Sequence, residues 1–266
     1  MSPKKRAALR AVYAFCRAAD DSVDEPGSSD PRENLLFWRA ELDRIYGGNP
    51  CSETGGNLLE PVRAFGLRKE HFLLLFEGLE KDTGPVRYRT MAELEWYMYR
   101  VAAAPGMLCS AIFCSGHAVQ TEEYARSLGF AMQLTNIIRD LDADAAIGRI
   151  YLPLEDLQRF SLSENDILSC TRTPDVAGLL RFEAERAKKH YAEARLALNP
   201  GDRFAMFPAG VMSALYEGML ERMADSGFAA CGGKAGLSAT GKISCIFKAL
   251  AALFVARPTT TGGKYK

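Results

Sequence analysis

Two acidic stretches of the sequence carry the residue types that could do chemistry. The first, RAADDSVDEPG at 17–27, places Asp20, Asp21 and Asp24 in the last turn of a predicted helix that Pro26 should end. The C-terminal end of a helix carries a partial negative charge and favours cations, so these carboxylates repel the helix dipole and one another. The crowding indicates a positively charged ligand that the chain itself does not supply.

The second stretch, GFAMQLTNIIRDLDADAAIGRIYLP at 129–153, carries a polar stripe on an otherwise apolar helix. The members of the stripe fall at i, i+3, i+7 and i+11 and are Gln133, Asn136, Asp140 and Asp144. A helix that is apolar on most sides is buried, so this stripe should face an internal cavity. The first helix repeats the design at i, i+4, i+7 and i+11 with Tyr13, Arg17, Asp20 and Asp24.

Each stripe contains an Asp-x-x-x-Asp pair, Asp20 with Asp24 and Asp140 with Asp144. The two backbone positions of a pair are roughly 6 Å apart along the helix axis, a spacing that suits carboxylates gripping one hard divalent ion or bridging two. Mg²⁺ prefers oxygen ligands and commonly completes its shell with substrate phosphates, and Mn²⁺ is the alternative ion. The pattern predicts two acidic pairs that face each other across a cavity and hold metal ions around a diphosphate.

Arginines near both stripes could bind the phosphate oxygens that the metal ions leave free. Arg17, Arg139 and Arg149 are the candidates, since a guanidinium can bind phosphate with two hydrogen bonds. The apolar remainder of the bundle would receive a long hydrocarbon. A diphosphate held in this way is a good leaving group, so its departure would leave an allylic carbocation.

Two alternatives stay open from these residues alone. An acidic cluster is usually a solvated helix face, and 140–144 could be a surface turn in which Arg139 pairs with Asp142. A di-iron bundle also places carboxylates on helices, but it needs Glu-x-x-His pairs. None of the three histidines in the sequence supplies one.

The elements that must position these residues read as helices almost throughout. Gly and Pro clusters punctuate segments of helix length, and alternating strand-like stretches are rare. The predicted helices cover 4–25, 31–46, 57–65, 69–82, 90–117, 121–145, 175–198 and 203–226, with a short turn at 153–158. Pro105 and Gly106 should kink or split the helix that contains them. The 266 residues predict one all-α domain over 1–256 and a disordered tail at 257–266.

Composition narrows the class of protein. Lys+Arg and Asp+Glu both number 33, so charge gives no indication of a nucleic-acid partner. The seven cysteines are scattered without a Cys-x-x-Cys pair, which favours reduced thiols in a cytoplasmic protein over a zinc site or a disulfide framework. The first residues are too charged for a signal peptide, and no apolar run reaches the roughly 18 residues of a membrane span. The nearest run, 245–256, predicts a terminal amphipathic helix rather than an anchor.

At these residues the sequence resembles the squalene/phytoene synthase family. YAFCRAADDSVDE and QLTNIIRDLDADAAIGRIYLP look like its two signature motifs, and the resemblance runs from about Lys4 to Leu237. The further similar stretches are LFWRAELDRIYGG (36–48), EGLEKD...VRY (77–88) and YMYRVAAAPGMLCSAIFC (97–114). The resemblance is greatest to the bacterial presqualene diphosphate synthases of hopanoid pathways. It implies the all-α isoprenoid synthase fold, a single helical bundle with a central cavity.

The resemblance also implies roles at the matching positions. The metal ligands would be Asp20, Asp21, Asp24, Asp140, Asp144 and Asn136. The substrate-binding residues would be Arg17, Gln133, Asn136, Arg139, Arg149 and Tyr216. The catalytic residues would be Tyr13, Arg17, Tyr97 and Tyr151. For Tyr97 and Tyr216, core packing with a satisfied hydroxyl is the alternative.

The reaction implied by this resemblance joins two farnesyl diphosphates head to head, with Mg²⁺ as cofactor. One ionises, its C1 cation is attacked by the 2,3 double bond of the other, and proton loss to pyrophosphate or a tyrosine closes a cyclopropane. The products are presqualene diphosphate and pyrophosphate. A full squalene synthase would then reduce the intermediate with NADPH, and a phytoene synthase would use geranylgeranyl diphosphate. A prenyl-lipid-binding protein without turnover is the non-enzymatic alternative.

Some features depart from the family pattern. Members usually carry an N-terminal aromatic and Ser/Lys segment that closes over a diphosphate, and this sequence begins just after its place. Pro105 stands where a small aliphatic residue is usual, and Lys234 where an arginine is expected. Cavity depth, set by residues such as Ala102, Pro105 and Met132, would decide the length of the prenyl chain. Because the product is an oil, we expect peripheral association with the inner membrane face through 245–256, and contact with downstream pathway enzymes.

Overall fold

Helix signals in the sequence decide most of the element boundaries. The computed structural model describes residues 1–24, 30–114, 119–229 and 237–254, and in these ranges all regular structure is helical, with no strand. The α-helices are Pro3–Asp24 (α1), Pro31–Gly47 (α2), Glu53–Phe65 (α3), Lys69–Asp82 (α4), Met91–Met98 (α5), Ala104–Cys114 (α6), Val119–Arg139 (α7), Leu141–Ala146 (α8), Leu154–Arg159 (α9), Glu164–Leu168 (α10), Pro174–Ala197 (α11), Phe207–Asp225 (α12) and Ala239–Phe254 (α13). The all-α prediction is confirmed.

The long helix α11 follows its sequence signals closely. The Thr173 side chain accepts a hydrogen bond from the backbone N–H of Val176 (3.2 Å), and Pro174 occupies the first turn. Proline suits this position because its missing N–H has no partner within the helix. Helix α11 therefore begins one residue from where the sequence predicts.

The predicted helix 90–117 is interrupted by a π-helical segment, Tyr99–Ala103, hereafter the π segment. Pro105 has no N–H to donate, and its ring crowds the carbonyl group four residues earlier. Just before it, the backbone N–H of Ala104 bonds to the carbonyl of Tyr99, five residues back. This wider turn accommodates the proline, so the distortion lies one turn earlier than the predicted kink.

Three other boundaries differ from the sequence prediction. The helix predicted at 121–145 breaks at Asp140, which has φ −96° and ψ 8°, so α7 and α8 are separate helices. Helix α12 starts at Phe207 rather than at 203, after a 3₁₀ turn at Pro200–Asp202. Helix α10 has no counterpart in the prediction because it is only five residues long.

Helix α3 begins earlier than predicted because tertiary contacts override the low helix propensity of its glycines. The Ser52 side chain accepts a hydrogen bond from the N–H of Gly55 (2.9 Å). The buried carboxylate of Glu41 on α2 accepts the backbone N–H groups of Cys51 (3.0 Å) and Ser52 (2.8 Å). A Cβ at Gly55 would lie 2.1 Å from Glu41 Oε1, so glycine is required at this contact.

Two groups of buried side chains form the core, one mainly on α1–α4 and one mainly on α5, α7, α11 and α12, and α6 contributes to both. In the first, the ring of Phe15 lies edge-on to Phe72, with ring centroids 5.5 Å apart. The π segment passes between the two groups, where glycines let backbones approach. A Cβ at Gly78 on α4 would lie 2.5 Å from Val101, and one at Gly129 on α7 would lie 2.8 Å from the backbone nitrogen of Ala103. The π segment is thus held on both sides.

Several sequence predictions fall outside the described residues. These are the side chain of Asp24, Lys234 and the tail at 257–266. Within the described ranges, no helix is both long enough and apolar enough to span a membrane.

Candidate active site

A cavity of about 530 Å³ opens between the two core groups. Its lining residues come from α1, α4, α5, the π segment, α6, α7, α8 and α12, together with Asp140 between α7 and α8 and the loop after α8. The predicted site residues that line it are Tyr13, Arg17, Asp20, Tyr97, Gln133, Asn136, Arg139, Asp140, Asp144, Arg149, Tyr151 and Tyr216. Residues from both acidic stretches are therefore brought to one cavity, although more than 100 positions separate them in the sequence.

On the α1 side, arginine and aspartate are paired at the cavity mouth. Arg17 Nη1 lies 3.2 Å from Asp20 Oδ2, and Arg17 Nη2 lies 2.7 Å from Asp21 Oδ1. Asp20 lines the cavity, whereas Asp21 does not. Tyr13 lines the mouth with 69% of its surface exposed, so it is a rim residue rather than part of the buried wall.

On the α7 side, Arg139 binds the neighbouring Asp140 with two hydrogen bonds. Nε donates to Oδ1 at 2.7 Å and Nη2 donates to Oδ2 at 2.5 Å, and the hydrogen bond to Asp140 raises the pKa of Arg139. The alternative pairing of Arg139 with Asp142 is wrong, because Asp142 pairs with Arg172. The break between α7 and α8 leaves Asp140 beside Arg139 and Asp142 on the following helix.

Asn136 contributes an oxygen that lacks a partner. Its amide nitrogen donates to Gln133 Oε1 at 3.3 Å, which leaves Oδ1 as the free end of the amide. Asn136 Oδ1 is buried and has no hydrogen-bond partner among the described residues. A buried acceptor without a partner is costly, so this oxygen is suited to a ligand that enters the cavity.

The donor set fits a hard divalent metal that shares its ligands with phosphate. Asp20, Asp140 and Asp144 line the cavity with Asn136, and oxygen donors of this kind suit Mg²⁺. Cys16 lines the same cavity, but burial raises the pKa of its thiol, so it does not supply a thiolate. Within the described ranges no three His, Cys, Asp or Glu side chains converge on one point. A bound diphosphate would add oxygen ligands to a metal held by these carboxylates.

Two predicted tyrosines are buried and share a partner that sequence reasoning missed. Tyr97 Oη donates to Asp82 Oδ2 and Tyr151 Oη donates to Asp82 Oδ1, both at 2.8 Å. Arg149 Nη2 donates to the backbone carbonyl of Asp82 at 3.0 Å. Burial, and then the charge of Asp82, raise the pKa of both hydroxyls, so both tyrosines are protonated. As the core-packing alternative expects, the hydroxyl of Tyr97 is buried and hydrogen-bonded. The residue nevertheless also lines the cavity.

Asp82 lies at the last residue of α4, and its sequence context resembles an ordinary helix end. Lys81 precedes it and Gly84-Pro85 follows, so the pattern reads as a charged surface turn. Two signals could have found it. EGLEKD (77–82) belongs to a stretch that resembles the squalene/phytoene synthase family, and a lone carboxylate lies at the negative end of a helix, as in the first acidic stretch.

The remaining wall of the cavity is apolar. It consists of Leu75, Leu79, Val101, Pro105 and Ile137. Of the three residues predicted to set the depth of the cavity, Pro105 lines it, whereas Ala102 and Met132 are not among its described lining residues. A mouth of arginine and carboxylate above an apolar wall suits a ligand with a polyanionic head and a hydrocarbon tail.

Comparison with known proteins agrees with this description of the site. The family model for squalene/phytoene synthase matches residues 1–240. The chain is 36% identical to 15-cis-phytoene synthase of Synechocystis over 233 residues, 83% of this chain and 69% of that protein. It is also 36% identical to presqualene diphosphate synthase of Zymomonas mobilis over 231 residues, 86% of this chain and 78% of that one.

A solved structure agrees with the fold. The squalene synthase of Alicyclobacillus acidocaldarius superposes with a TM-score of 0.77 at 27% identity, covering 86% of each chain. Prenyltransferases of this kind act on prenyl diphosphates and generally depend on a divalent metal. The chain therefore belongs to the squalene/phytoene synthase family and is a prenyltransferase.

Proposed function

We propose that the chain condenses two farnesyl diphosphates into presqualene diphosphate and pyrophosphate in a Mg²⁺-dependent reaction. The observation that carries this proposal is the single cavity in which paired arginines and aspartates lie above an apolar wall. The sequence identity of 36% to a presqualene diphosphate synthase supports the choice of product. The volume of about 530 Å³ lies in the usual range of ligand cavities, roughly 300–1,000 Å³.

The ion pairs at the mouth suggest how the head group binds. Arg17 and Arg139 are held beside Asp20 and Asp140 in the ligand-free protein. When a diphosphate enters, the arginines turn to its oxygens, and the aspartates become free to bind a cation. Mg²⁺, when bound there, would neutralise the diphosphate and make it a better leaving group. Asn136 Oδ1 and Asp144 complete the oxygen donors on the α7–α8 side.

The apolar wall and the tyrosines contact the hydrocarbon part of the substrates. Leu75, Leu79 and Val101 exclude water from the hydrocarbon, which protects a carbocation from capture. The C1 cation of one farnesyl group is attacked by the 2,3 double bond of the other, and loss of a proton closes the cyclopropane. Tyr97 and Tyr151 offer neutral oxygens at the boundary between head and tail.

The experiment is a product analysis. The purified protein is incubated with farnesyl diphosphate and Mg²⁺, with and without NADPH, and the products are identified by mass spectrometry. Presqualene diphosphate in both samples supports the proposal. Squalene formed only with NADPH would assign the protein to the two-step synthases instead. Lack of any product from farnesyl or geranylgeranyl diphosphate would contradict prenyl transfer itself and favour a prenyl-lipid binder.

A phytoene-type activity is the second candidate. One observation favours it, since a phytoene synthase is as similar to the chain as a presqualene diphosphate synthase is. The same assay with geranylgeranyl diphosphate separates the two, because the longer chain would give a C40 product. A higher kcat/KM with geranylgeranyl diphosphate would replace the first proposal with this one.

We also propose that α13 contacts a lipid surface while 1–256 acts as one catalytic domain. Ile243, Ile246, Phe247 and Leu250 are exposed and recur at i, i+3, i+4 and i+7, and α13 contains no acidic residue. Such a helix lies in the membrane interface. The Ile246→Ser/Phe247→Ser variant should sediment less with anionic phospholipid vesicles, whereas the Ser244→Ala control on the same helix should not. Equal sedimentation of both variants would contradict the proposal.

A further inference from the structure

Asp82 is a buried carboxylate whose two oxygens are each occupied by a tyrosine of the cavity. Its exposed fraction is 8%, and it is not among the residues that line the cavity. Tyr97 and Tyr151, which do line it, donate their hydroxyl protons to Oδ2 and Oδ1 at 2.8 Å each. Their ring centroids are 5.5 Å apart. Asp82 thus meets the cavity-lining residues Tyr97 and Tyr151 through its carboxylate and Arg149 through its backbone carbonyl.

The direction of these two hydrogen bonds has a chemical consequence. A tyrosine hydroxyl has one proton to donate, and its oxygen also has lone pairs that accept. Because both protons are directed to Asp82, both oxygens can offer only lone pairs to a ligand in the cavity. They can attract positive charge, but they cannot donate a hydrogen bond to a diphosphate. Arg17 and Arg139 at the mouth still offer donors to the phosphate oxygens.

We propose that Asp82 is a positioning residue that directs the hydroxyl protons of Tyr97 and Tyr151 away from the cavity, so that the pair stabilises the carbocation rather than the diphosphate. This inference rests on the proposed function. The tyrosine rings add to the effect, since a cation over an aromatic face is attracted to it. Arg149 supports the arrangement from the other side by its bond to the Asp82 carbonyl.

A third tyrosine provides a matched control. Tyr88 belongs to the same stack, with its ring centroid 5.3 Å from Tyr97 and 6.2 Å from Tyr151. Its hydroxyl is buried but has no hydrogen-bond partner in the described part of the chain. It does not line the cavity. Tyr88→Phe therefore removes a hydroxyl from the same stack without touching the Asp82 bonds.

The experiment replaces Asp82 with asparagine and counts products. An amide nitrogen donates where a carboxylate oxygen accepted, so one tyrosine loses its acceptor and turns its proton toward the cavity. We expect kcat for Asp82→Asn to fall roughly 10–100-fold, as for other residues that orient catalytic groups, with KM for farnesyl diphosphate unchanged. Pyrophosphate released per C30 product should exceed that of the wild type, because water captures the less stabilised cation as the C15 alcohol and releases a proton.

The control and a triple variant distinguish a positioning role of Asp82 from a purely structural one. Tyr88→Phe should match the wild type in kcat and in the product ratio. Asp82→Asn added to Tyr97→Phe/Tyr151→Phe should lower kcat no further, because the groups through which Asp82 acts are gone. If thermal melting shows that Asp82→Asn is unfolded, the single variants Tyr97→Phe and Tyr151→Phe should each raise the ratio of pyrophosphate to C30 product.

Three results would overturn the inference. One is a wild-type product ratio and kcat in Asp82→Asn, and another is a wild-type ratio in both single tyrosine variants. The third is a rise in KM alone, which would mean that the tyrosines bind the diphosphate. In each case a wild-type protein that forms C30 product leaves the proposed function standing. A wild-type protein that forms no product contradicts both.

Discussion

Two regions of the molecule set carboxylates against arginines, and they differ in exposure. At the cavity mouth, the side chains of Asp20 and Asp140 are 41% and 37% exposed, and each pairs with an arginine. Between α9 and α11, the side chains of Asp156 and Glu183 are 4% and 0% exposed, and both bind Arg186. We call the second group the Arg186 cluster.

The Arg186 cluster holds one more negative than positive group if all three are ionised. Arg186 Nη1 donates to Asp156 and, at 2.9 Å, to Glu183 Oε1. Burial raises the pKa of Glu183 to about 7; the attraction of Arg186 opposes this shift and the repulsion of Asp156 adds to it. Glu183 Oε2 is buried without a hydrogen-bond partner among the described residues. The cluster therefore retains a proton up to neutral pH.

Solvent access, and not charge, therefore distinguishes the binding site from the structural cluster. At the mouth, solvent reaches the carboxylates, so a ligand can replace the arginines at small cost. In the Arg186 cluster, removal of one partner leaves a buried charge without compensation. The carboxyl group of Glu41 shows that burial alone does not decide whether an acid is protonated. Burial alone would raise the pKa of Glu41, but hydrogen bonds from Cys51 and Ser52 outweigh it and lower the pKa to about 2.

The largest effect should come from breaking the Arg186 cluster. Arg186→Met leaves Asp156 and Glu183 buried without a cation, so we expect the free energy of unfolding to fall by about 3–5 kcal/mol at pH 8. Urea unfolding measures this loss. On the same helix, Lys188→Met removes an exposed pair with Glu185 and should cost at most about 1 kcal/mol. Equal losses in the two variants would show that burial does not distinguish the pairs.

Substitutions at the cavity mouth should change the catalytic rate and leave the free energy of unfolding nearly unchanged. Asp144→Asn or Asp20→Asn should lower kcat roughly 10²–10³-fold, because a negative charge and one oxygen ligand for the cation are lost, while the free energy of unfolding stays equal or rises slightly. Steady-state assays and thermal melts of the same samples test this. The control is Asp142→Asn, also on α8, whose carboxylate pairs with Arg172 away from the cavity. Near-normal turnover of Asp144→Asn would remove Asp144 from the metal site.

The smallest effect concerns the proton of the Arg186 cluster. The pKa of Glu183 is about 7 in the folded protein against an ordinary value of 4.5, so between these values the folded state holds a proton that the unfolded state has lost. Stability should therefore fall as pH rises from about 4.5 to 7, by about 2–3 kcal/mol. Glu183→Gln should flatten this slope in urea unfolding at several pH values. An unchanged slope in that variant would assign the proton to another group.

Much of the fold could be read from the sequence because helices depend on near neighbours. Thr173 and Pro174 start α11 where predicted, and the apolar spacing within it matches its buried face. The two polar stripes also follow from periodicity, since residues at i, i+3 and i+7 must share a face. That they meet at one cavity was an inference from charge and burial, and the lining residues of the cavity agree with it.

The set of helices and the faces that carry carboxylates thus follow from the sequence, because local hydrogen bonds and side-chain spacing encode both. Which partners meet depends on how the helices pack. At the break between α7 and α8, Arg139 pairs with Asp140 and not with Asp142. Asp82 binds Tyr97 and Tyr151, which lie 15 and 69 positions away in the sequence. The π segment likewise depends on close contacts at Gly78 and Gly129. Such choices arise from packing between distant elements, which no local pattern contains.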